Sequence, residues 1–588
     1  MIRVGAEPIG KQTARTARAH DDVVTIGGDI NVCGDIELGD DGPPWPRMRA
    51  PNGGTRTPAP SVLDDCPVSS ASVRAAAVLI CAALVAGCAG TGPAVRSDAA
   101  VVRTVAGPVR GVAGPEFRLF QGIPYAAAPR WQPPVAPVGW TAVRDATKPG
   151  PRCIQDVRVD PDYGLATSED CLNLTVWTPP GATPSAPRPV MVWIHGGGFL
   201  NGSSDLYNAQ WLATRGDIVV VTINYRLGAL GFLAHPALAG PGEDPGNYGL
   251  VDQQAALRWV RDNIAGFGGD PAKVTIAGES AGAISVCDHL VAPDSAGLFR
   301  AAIMQSGPCQ AQADLATAER ISVDYAANAG CKPGPAVRRC LLALPADRLQ
   351  DGPSYFRIGS TNLLSGPVTG TDRLPVAPST VASTAPTARV PVLIGSTADE
   401  FTLFVALTYL RQHRIAPYPT LLREAFGSQA AAVAARYPLS RYDGSAGLAY
   451  AAAVTDGVFA CPIDTMARGL ARRAPVYAYE FNDRRAPVPE PLRHTPFAAG
   501  AGHALELRYL FQMGGAPPLT APQQELSDQM VAYWSRFVTT GAPDVPGQPD
   551  WPALDPERPE QMSLQTGVPA LSSDFAARHQ CGFWGSLG

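Results

Sequence analysis

One short segment combines a candidate nucleophile with the glycines that would expose it. Residues 274–283 read VTIAGESAGA, so Ser280 follows an apolar, strand-like run and stands between Gly278 and Gly282. This pattern is typical of a nucleophile elbow, a sharp strand-to-helix turn that presents the serine hydroxyl in a pocket. Larger side chains at positions 278 and 282 would collide with the neighbouring strand and helix. The chain contains 60 glycines, so a serine flanked in this way could also occur by chance. The residues around the motif decide whether it is a nucleophile elbow.

A run of glycines upstream supplies a second part of such a site. The sequence HGGGF, residues 195–199, ends the strand-like run that begins at residue 190. Glycines let backbone N–H groups approach a ligand closely, and acyl transfer needs donors aimed at the developing oxyanion. We therefore predict that the N–H groups of Gly197, Gly198 and Ala281 form an oxyanion hole. Taken alone, the glycines would equally suit a flexible turn.

The candidate serine needs a base, and the base needs an acid that orients it. After a nucleophile elbow, the acid and then the histidine follow along the chain. His503 lies in a glycine-bracketed loop before a helical pattern, and His494 is its closest rival. A buried strand-like run ends in Asp399 and Glu400. Either carboxylate could hold an imidazole, so the residues alone leave this choice open.

The elements around these residues predict an α/β fold. Several apolar runs are rich in β-branched residues without polar alternation, which favours strands covered on both faces. Residues 249–264 have apolar positions at helical spacing. The alternation predicts one mostly parallel central sheet covered by helices on both faces, with lid-like insertions around 340–390 and 410–445. The strand-like runs are 190–197, 218–226, 274–279, 300–307, 390–396 and 475–482.

Composition argues against several functions. The 588 residues include 47 basic and 52 acidic ones, which gives a net charge of −5 without a basic or acidic tract. Nucleic-acid binding therefore has no support. The cysteines show no metal-ligand spacing and the chain has no Walker or dinucleotide fingerprint, so neither a metal nor an organic cofactor is expected.

The first 88 residues differ from the rest of the chain. Residues 1–70 are rich in Gly, Pro, Asp and Arg and are predicted to be disordered. Residues 71–88 have the proportions of a secretory signal and end in a lipobox-like VAGC, which predicts lipidation and membrane attachment at Cys88. An ordinary cleaved signal or a short buried helix is the alternative. Because a signal normally begins a chain, translation is expected to start near Val73, and the protein is expected to be a cell-envelope lipoprotein or secreted.

Longer segments resemble type-B carboxylesterases, the α/β-hydrolase family that includes cholinesterases and bacterial p-nitrobenzyl esterases. The similarity runs from about residue 100 to the end and implies a single α/β-hydrolase domain over 100–588. It also implies a triad of Ser280, Glu400 and His503, which resolves both open choices. The segments that carry the resemblance are FQGIPYAAAP (120–129), SEDCLNLTVWTP (168–179), HGGGF, NYRLGALGFL (224–233), the long stretch 246–283, IMQSG (303–307), DEF, GHALELRYLF (502–511) and the terminal CGFW (581–584).

The cysteines downstream of Cys88 number eight, and an even number in an exported chain favours disulfides. The family resemblance implies three of the pairs, which leaves Cys287 to pair with Cys309. The three implied pairs are Cys153–Cys171, Cys331–Cys340 and Cys461–Cys581.

The resemblance implies supporting roles for four further residues. Glu169 and Arg226 match a structural ion pair near the entrance to the active site. Ser306 matches a serine close to the acid, and Glu506 matches a buried support one helical turn after His503. No catalytic step is assigned to these four.

The expected substrate follows from the motifs and from two departures. The tryptophan that binds choline in cholinesterases would fall near Pro161, and an acyl-pocket tryptophan would follow QSG; both are missing. Choline esters are therefore not expected. Phe199, Phe401 and Phe404 are candidates to line a roomier acyl pocket, with core packing as the alternative for the last two. We predict a serine carboxylic-ester hydrolase that acts through an acyl-serine intermediate on small to medium, largely apolar esters. A lipase acting on longer-chain lipid esters, or a non-catalytic binding module on the same fold, is the alternative.

Overall fold

The computed structural model of the protein describes residues 101–157, 166–240, 242–360, 362–381 and 388–587. Both predicted N-terminal features, disordered residues 1–70 and the signal 71–88 that ends at Cys88, lie outside the described residues. The position near Pro161 also lies outside them.

The strands of the described residues form one large sheet and several small ones. In chain order they are β1 (Val101–Arg103), β2 (Pro108–Arg110), β3 (Val112–Ala113), β4 (Arg118–Pro124), β5 (Arg144–Asp145), β6 (Arg152–Cys153), β7 (Thr167–Ser168), β8 (Asn173–Thr178), β9 (Arg188–Ile194), β10 (Val219–Ile223), β11 (Gly269–Glu279), β12 (Ala301–Gln305), β13 (Ala313–Asp314), β14 (Phe356–Ile358), β15 (Asn362–Leu364), β16 (Val368–Thr369), β17 (Val392–Thr397), β18 (Val476–Phe481), β19 (Gln561–Leu564) and β20 (Ala570–Ser572).

The large sheet has eleven strands in the order β20-β19-β18-β17-β12-β11-β9-β10-β8-β4-β3. The pairings from β10 through β9, β11, β12, β17 and β18 to β19 are parallel. Those beyond β10 and β19 are antiparallel. The predicted mostly parallel sheet is confirmed for its centre, which is the part that carries the candidate residues.

Helices connect these strands. In chain order they are α1 (Gln210–Thr214), α2 (Gly228–Phe232), α3 (Tyr248–Asn263), α4 (Ala281–His289), α5 (Leu315–Asn328), α6 (Val337–Ala343), α7 (Pro378–Val381), α8 (Thr402–Gln412), α9 (Tyr418–Phe426), α10 (Ala430–Arg436), α11 (Ala446–Val454), α12 (Cys461–Ala471), α13 (Ala521–Thr540), α14 (Phe575–Arg578) and α15 (Cys581–Ser586). A π-helical segment, Thr455–Ala460, joins α11 to α12 and is called the π-turn below.

Alternating side chains along β9 divide the core into two layers. Val192 and Ile194 pack in one layer with residues of α3, α4 and α12, whereas Met191 and Trp193 pack in the other with residues of α1 and α13. Successive side chains of a strand point to opposite faces of its sheet. Because both faces are covered, the strand has no polar alternation. The predicted helical cover on both faces is confirmed.

The stretches predicted as lid-like insertions contain regular elements. The first includes the hairpin β14–β15, and the second includes α9 and α10. The hairpin lies close to the glycine run, because a Cβ added to Gly198 would lie 2.9 Å from the Leu364 side chain. A lid function for either stretch stays a prediction.

Residues 446–471, which comprise α11, the π-turn and α12, form one long apolar helical run. Within the described residues, it alone is long and apolar enough to cross a bilayer, and 78% of its most apolar window is buried inside the fold. Burial of this kind is typical of a core helix rather than of a membrane span.

Four disulfides fasten the described chain, and they are the four expected pairs: Cys153–Cys171, Cys287–Cys309, Cys331–Cys340 and Cys461–Cys581. Disulfides persist in oxidising compartments. The folded protein is therefore suited to such a compartment.

The predicted ion pair between Glu169 and Arg226 is wrong. Glu169 instead binds Arg130 through two contacts of 2.6 and 2.7 Å. Arg226 binds Asp252 of α3 through two contacts of 2.7 Å. Both arginines have a carboxylate positioned for paired N–H donation, and a guanidinium favours this two-point geometry.

We expect the disulfides to differ in their effect on stability according to the loop that each closes. Cys461 and Cys581 are 120 residues apart, whereas Cys331 and Cys340 are 9 apart. Chain entropy predicts that removal of the disulfide that closes the longer loop lowers the unfolding free energy by about 5 kcal/mol. Removal of the disulfide that closes the shorter loop lowers it by about 2.5 kcal/mol. The double variants Cys461→Ala/Cys581→Ala and Cys331→Ala/Cys340→Ala, compared by thermal unfolding midpoint, test this order. Equal losses would contradict the loop-length argument.

Candidate active site

Ser280 occupies a strained turn between β11 and α4. Its backbone φ is 55° and its ψ is −123°, a conformation that a residue with a Cβ rarely adopts. The Ser280 N–H donates to the Gln305 carbonyl oxygen at 2.9 Å, and the Ser280 carbonyl accepts from the Ile284 N–H at 2.9 Å. The serine is therefore fixed by β12 on one side and by the first turn of α4 on the other.

The glycines that flank this serine allow β11 and α4 to pack closely. A Cβ added to Gly282 would overlap the carbonyl oxygen of Ile194 in β9, and one added to Gly278 would lie 2.5 Å from the Gly282 carbonyl carbon. The collisions expected from the sequence are confirmed. They explain why the motif needs glycine at both positions.

The glycine run after β9 lies against the same serine. A Cβ added to Gly196 would lie 3.1 Å from Ser280 Cβ. Gly197 and Gly198 have φ values of 104° and 64°, which glycine adopts without strain. In the described part of the chain, the N–H groups of Gly197, Gly198 and Ala281 donate to no protein acceptor. Two of these three donors thus belong to the glycine run, and the third belongs to the residue after Ser280.

His503 and Glu400 form a buried contact. The distance between His503 Nδ1 and Glu400 Oε2 is 2.5 Å, and the side chains are 5% and 0% exposed. Glu400 Oε1 accepts from the Thr397 N–H at 2.7 Å, and the Glu400 carbonyl accepts from the His503 N–H at 3.2 Å. The carboxylate therefore fixes the imidazole through side chain and backbone together.

The rival residues are occupied elsewhere. Asp399 binds Arg484 at 2.8 Å and accepts from the Ala501 N–H at 3.0 Å. His494 is exposed and contacts Glu490 at 3.1 Å. Neither side chain is turned toward the His503–Glu400 pair, so the geometry agrees with the choice that the resemblance implied.

A second carboxylate that the sequence analysis did not identify lies beside the imidazole. Glu279 immediately precedes Ser280, and its Oε1 lies 3.0 Å from His503 Nε2. This oxygen accepts no aligned hydrogen bond from the described residues, so Nε2 can still bond to another group. The sequence feature that could have identified Glu279 was its position inside the serine motif, directly before Ser280.

The buried charges shift one another's pKa values. Burial raises the pKa of Glu279 to about 7, with His503 opposing and Glu400 adding to the rise. Burial alone would lower the pKa of His503, but attraction to Glu279 and Glu400 raises it to about 9. The two groups are coupled, because protonation of Glu279 removes part of the attraction that raises the pKa of the imidazole.

Glu506 and Ser306 are both fully buried, Glu506 against Gln305 and Ser306 directly after Gln305 in the chain. Glu506 Oε1 accepts from Gln305 Nε2 at 3.2 Å, and Gln305 Oε1 accepts from Trp534 Nε1 at 2.9 Å. Burial, followed by repulsion from the other glutamates, raises the pKa of Glu506 to about 8. Ser306 is fully buried at the end of β12, and its N–H donates to the Gly395 carbonyl at 2.8 Å.

Aromatic rings surround the imidazole. The Phe404 and Phe459 ring centroids lie 5.0 and 5.5 Å from that of His503. Phe404 stacks on buried Phe401 at 5.0 Å, and both line a cavity of about 50 Å³. Phe199 is fully buried against Phe232. Phe459, which belongs to the π-turn, was not anticipated because no motif marks it.

Comparison with known proteins assigns the family. Residues 98–584 match the model of the carboxylesterase family. The chain belongs to the carboxylesterase family. It is 33% identical to an acylcarnitine hydrolase and a pyrethroid hydrolase of Rattus norvegicus and to a cocaine esterase of Homo sapiens. Each match covers 79% of this chain; the share of the relative is 86% for the acylcarnitine hydrolase and the cocaine esterase and 84% for the pyrethroid hydrolase.

Membership makes this carboxylesterase an ester-hydrolysing enzyme with an α/β-hydrolase fold. The predicted family, fold and enzyme class are therefore confirmed.

We expect Glu279→Gln to lower the pKa of His503 from about 9 toward its ordinary value of 6.5, because one of the two attracting carboxylates is lost. Nuclear magnetic resonance titration of labelled histidine measures this directly, since the chain has only eight histidines. Asp399→Asn removes a nearby charge that does not touch the imidazole and serves as the control. An unchanged His503 pKa in Glu279→Gln would refute this account of the charge balance.

Proposed function

We propose that this carboxylesterase works through an acyl-serine intermediate on Ser280, with His503 as general base and Glu400 as the orienting acid. The observation that carries the proposal is the position of the imidazole. Its Nδ1 lies 2.5 Å from Glu400, and its Nε2 lies 3.0 Å from Glu279, the residue next to Ser280. In this proposal, Nε2 exchanges a proton with the serine hydroxyl.

In the first half of the reaction, Ser280 Oγ attacks the ester carbonyl carbon while its proton passes to His503 Nε2. Glu400 remains ionised and stabilises the imidazolium. Glu279 adds a second carboxylate close to the new positive charge. The carbonyl oxygen becomes negative and is bound by the N–H groups of Gly197, Gly198 and Ala281.

The tetrahedral intermediate then collapses. The bond to the alcohol oxygen breaks, the Nε2 proton moves to that oxygen, and the alcohol leaves an acyl-serine. A water molecule gives its proton to Nε2 and attacks the acyl carbon. The bond between the acyl carbon and Ser280 Oγ then breaks, and Ser280 Oγ recovers the proton from Nε2. This step releases the carboxylic acid and restores the free serine.

We propose small to medium, largely apolar esters as the substrates. The support is the aromatic surface of Phe401 and Phe404 and the small cavity beside it, about 50 Å³, because such a surface binds apolar acyl or alkyl groups. The relatives are named for acylcarnitine, cocaine and pyrethroids. These names describe unlike compounds, so the lining of the site is the better guide.

We also propose that the protein is exported and attached to a membrane through lipidated Cys88. The lipobox-like VAGC at 85–88 and the four disulfides support this proposal. A released, secreted form is the alternative.

We expect Ser280→Ala to reduce kcat for p-nitrophenyl esters by at least about 10³-fold, since removal of a nucleophile leaves only binding and oxyanion stabilisation. Alanine removes one hydroxyl and adds no volume, so the thermal unfolding midpoint should change little. Titration with an organophosphate should label one serine per wild-type chain and none in the variant. Esterase activity retained by the folded variant would exclude Ser280 as the nucleophile.

The acyl-chain preference separates an esterase from a lipase. We expect kcat/KM to fall from butyrate to palmitate p-nitrophenyl esters, because the Phe404 and Phe459 rings beside His503 give apolar contact to a short acyl chain but do not extend along a long one. Rates measured below and above the solubility limit of each substrate provide the control. A rise in rate when an insoluble ester interface forms would favour the lipase alternative.

A further inference from the structure

A second buried histidine lies between two carboxylates, outside the candidate active site. His579 Nδ1 lies 2.5 Å from Asp456 Oδ1, and His579 Nε2 lies 2.5 Å from Glu480 Oε1. All three residues are at least nine-tenths buried. An imidazolium can donate from both ring nitrogens, so the geometry suits a positive charge between two negative ones. This arrangement is called the His579 bridge below.

The His579 bridge joins three elements of the chain. Asp456 belongs to the π-turn, Glu480 to β18, and His579 to the C-terminal segment between α14 and α15. The other polar and charged groups that face the bridge belong to the same network. Arg578 and Asn482 bind Glu480, Tyr437 donates to Asp456, and Asp574 binds Arg578.

The π-turn also contacts the candidate active site. Thr455 Oγ1 accepts a hydrogen bond from the N–H of Phe401 at 2.9 Å. Phe401 directly follows Glu400 in the chain. The Phe459 ring lies against the His503 ring, with centroids 5.5 Å apart. This six-residue segment thus contributes three contacts. Asp456 belongs to the bridge, Thr455 binds the backbone next to Glu400, and the Phe459 ring lies beside His503. π-Helical segments inside α-helices frequently occur at functional sites.

We propose that His579 is a positioning residue for the ester hydrolysis reaction. The bridge holds the π-turn through Asp456, and the π-turn holds Phe459 against His503 and Thr455 against the backbone beside Glu400. This inference rests on the proposed function, in which His503 is the base. Proton transfer to and from His503 depends on its position, and a displacement of 1 Å in such a site costs about 10²-fold in rate.

Attachment of the C-terminal segment alone does not account for the bridge. The Cys461–Cys581 disulfide already ties this segment to the start of α12, immediately after the π-turn. The Trp584 ring also packs on the π-turn, since a Cβ added to Gly457 would lie 2.7 Å from it. What the bridge adds to these two attachments, together with the Tyr437 hydroxyl, is a fixed position for the Asp456 side chain.

The bridge should respond to pH with a definite sign. Burial alone would lower the pKa of His579, but hydrogen bonds and attraction to Asp456 and Glu480 raise it to about 9. Because this value exceeds the ordinary 6.5, the stabilisation is complete below pH 6.5 and is lost as the pH rises through about 9. The alkaline loss contrasts with His503, which becomes a better base when it is deprotonated.

The first test compares His579→Gln with His494→Gln, which makes the same change at an exposed histidine. With p-nitrophenyl butyrate as the probe, we expect kcat of His579→Gln to fall about 10- to 100-fold, with KM within about twofold of wild type. Organophosphate titration should still label one serine per chain, and His494→Gln should match wild type. A folded His579→Gln variant with wild-type kcat would overturn the proposal.

A second variant and the wild-type enzyme keep the proposal testable if His579→Gln does not fold. Asp456→Asn should lower kcat by a similar factor, and unchanged kcat would overturn the proposal. Because the pKa of His503 is also raised to about 9, the wild type is compared with Asp456→Asn, in which the bridge is already broken. The ratio of wild-type kcat to Asp456→Asn kcat should fall between about pH 8 and pH 10 as His579 loses its proton, while the circular dichroism spectrum stays constant; a constant ratio would overturn the proposal. Failure of the proposed function itself is distinguishable, because Ser280→Ala would then retain turnover.

Discussion

Three buried glutamates, Glu279, Glu400 and Glu506, surround one imidazole, and the rest of the site depends on this concentration of charge. Burial disfavours each ionised carboxylate, and an imidazolium at His503 offsets that cost. Glu400 contacts one ring nitrogen and Glu279 the other. Rotation of the ring would lose at least one of these contacts. These contacts therefore fix the orientation of His503.

The parallel centre of the sheet brings these groups to one edge. The glycine run follows β9, Ser280 follows β11, and Glu400 follows β17. Loops that leave the carboxyl ends of parallel strands converge on the same side of a sheet. The strands approach closely because Gly278 and Gly282 have no Cβ that would meet the backbone of β9 and α4. Strain at Ser280 is thus maintained by packing on both sides of the turn.

The sequence predicted those parts of the site that local patterns encode. The elbow at Ser280 and the glycine run could be inferred from their own residues. The choice between Asp399 and Glu400 could not, because they share their chemistry and differ only in the direction of their side chains. Glu279 was missed because the sequence does not show that the side chain before Ser280 turns toward His503. The predicted Glu169–Arg226 pair was wrong because tertiary packing decides which carboxylate lies next to an arginine. Arg226 lies next to Asp252 on α3.

Two histidines in this chain have nearly the same electrostatic environment, and the hydrogen bonding of their ring nitrogens distinguishes them. His503 and His579 both lie between two carboxylates, and both have pKa values raised to about 9. His579 has both nitrogens engaged by hydrogen bonds, which leaves no position for a reacting group. His503 Nε2 lies 3.0 Å from Glu279 Oε1, an oxygen that accepts no aligned hydrogen bond from the described residues. A raised pKa is therefore common to both histidines and reports only their charged neighbours, whereas the free hydrogen-bonding position beside Glu279 Oε1 belongs, of the two, to His503.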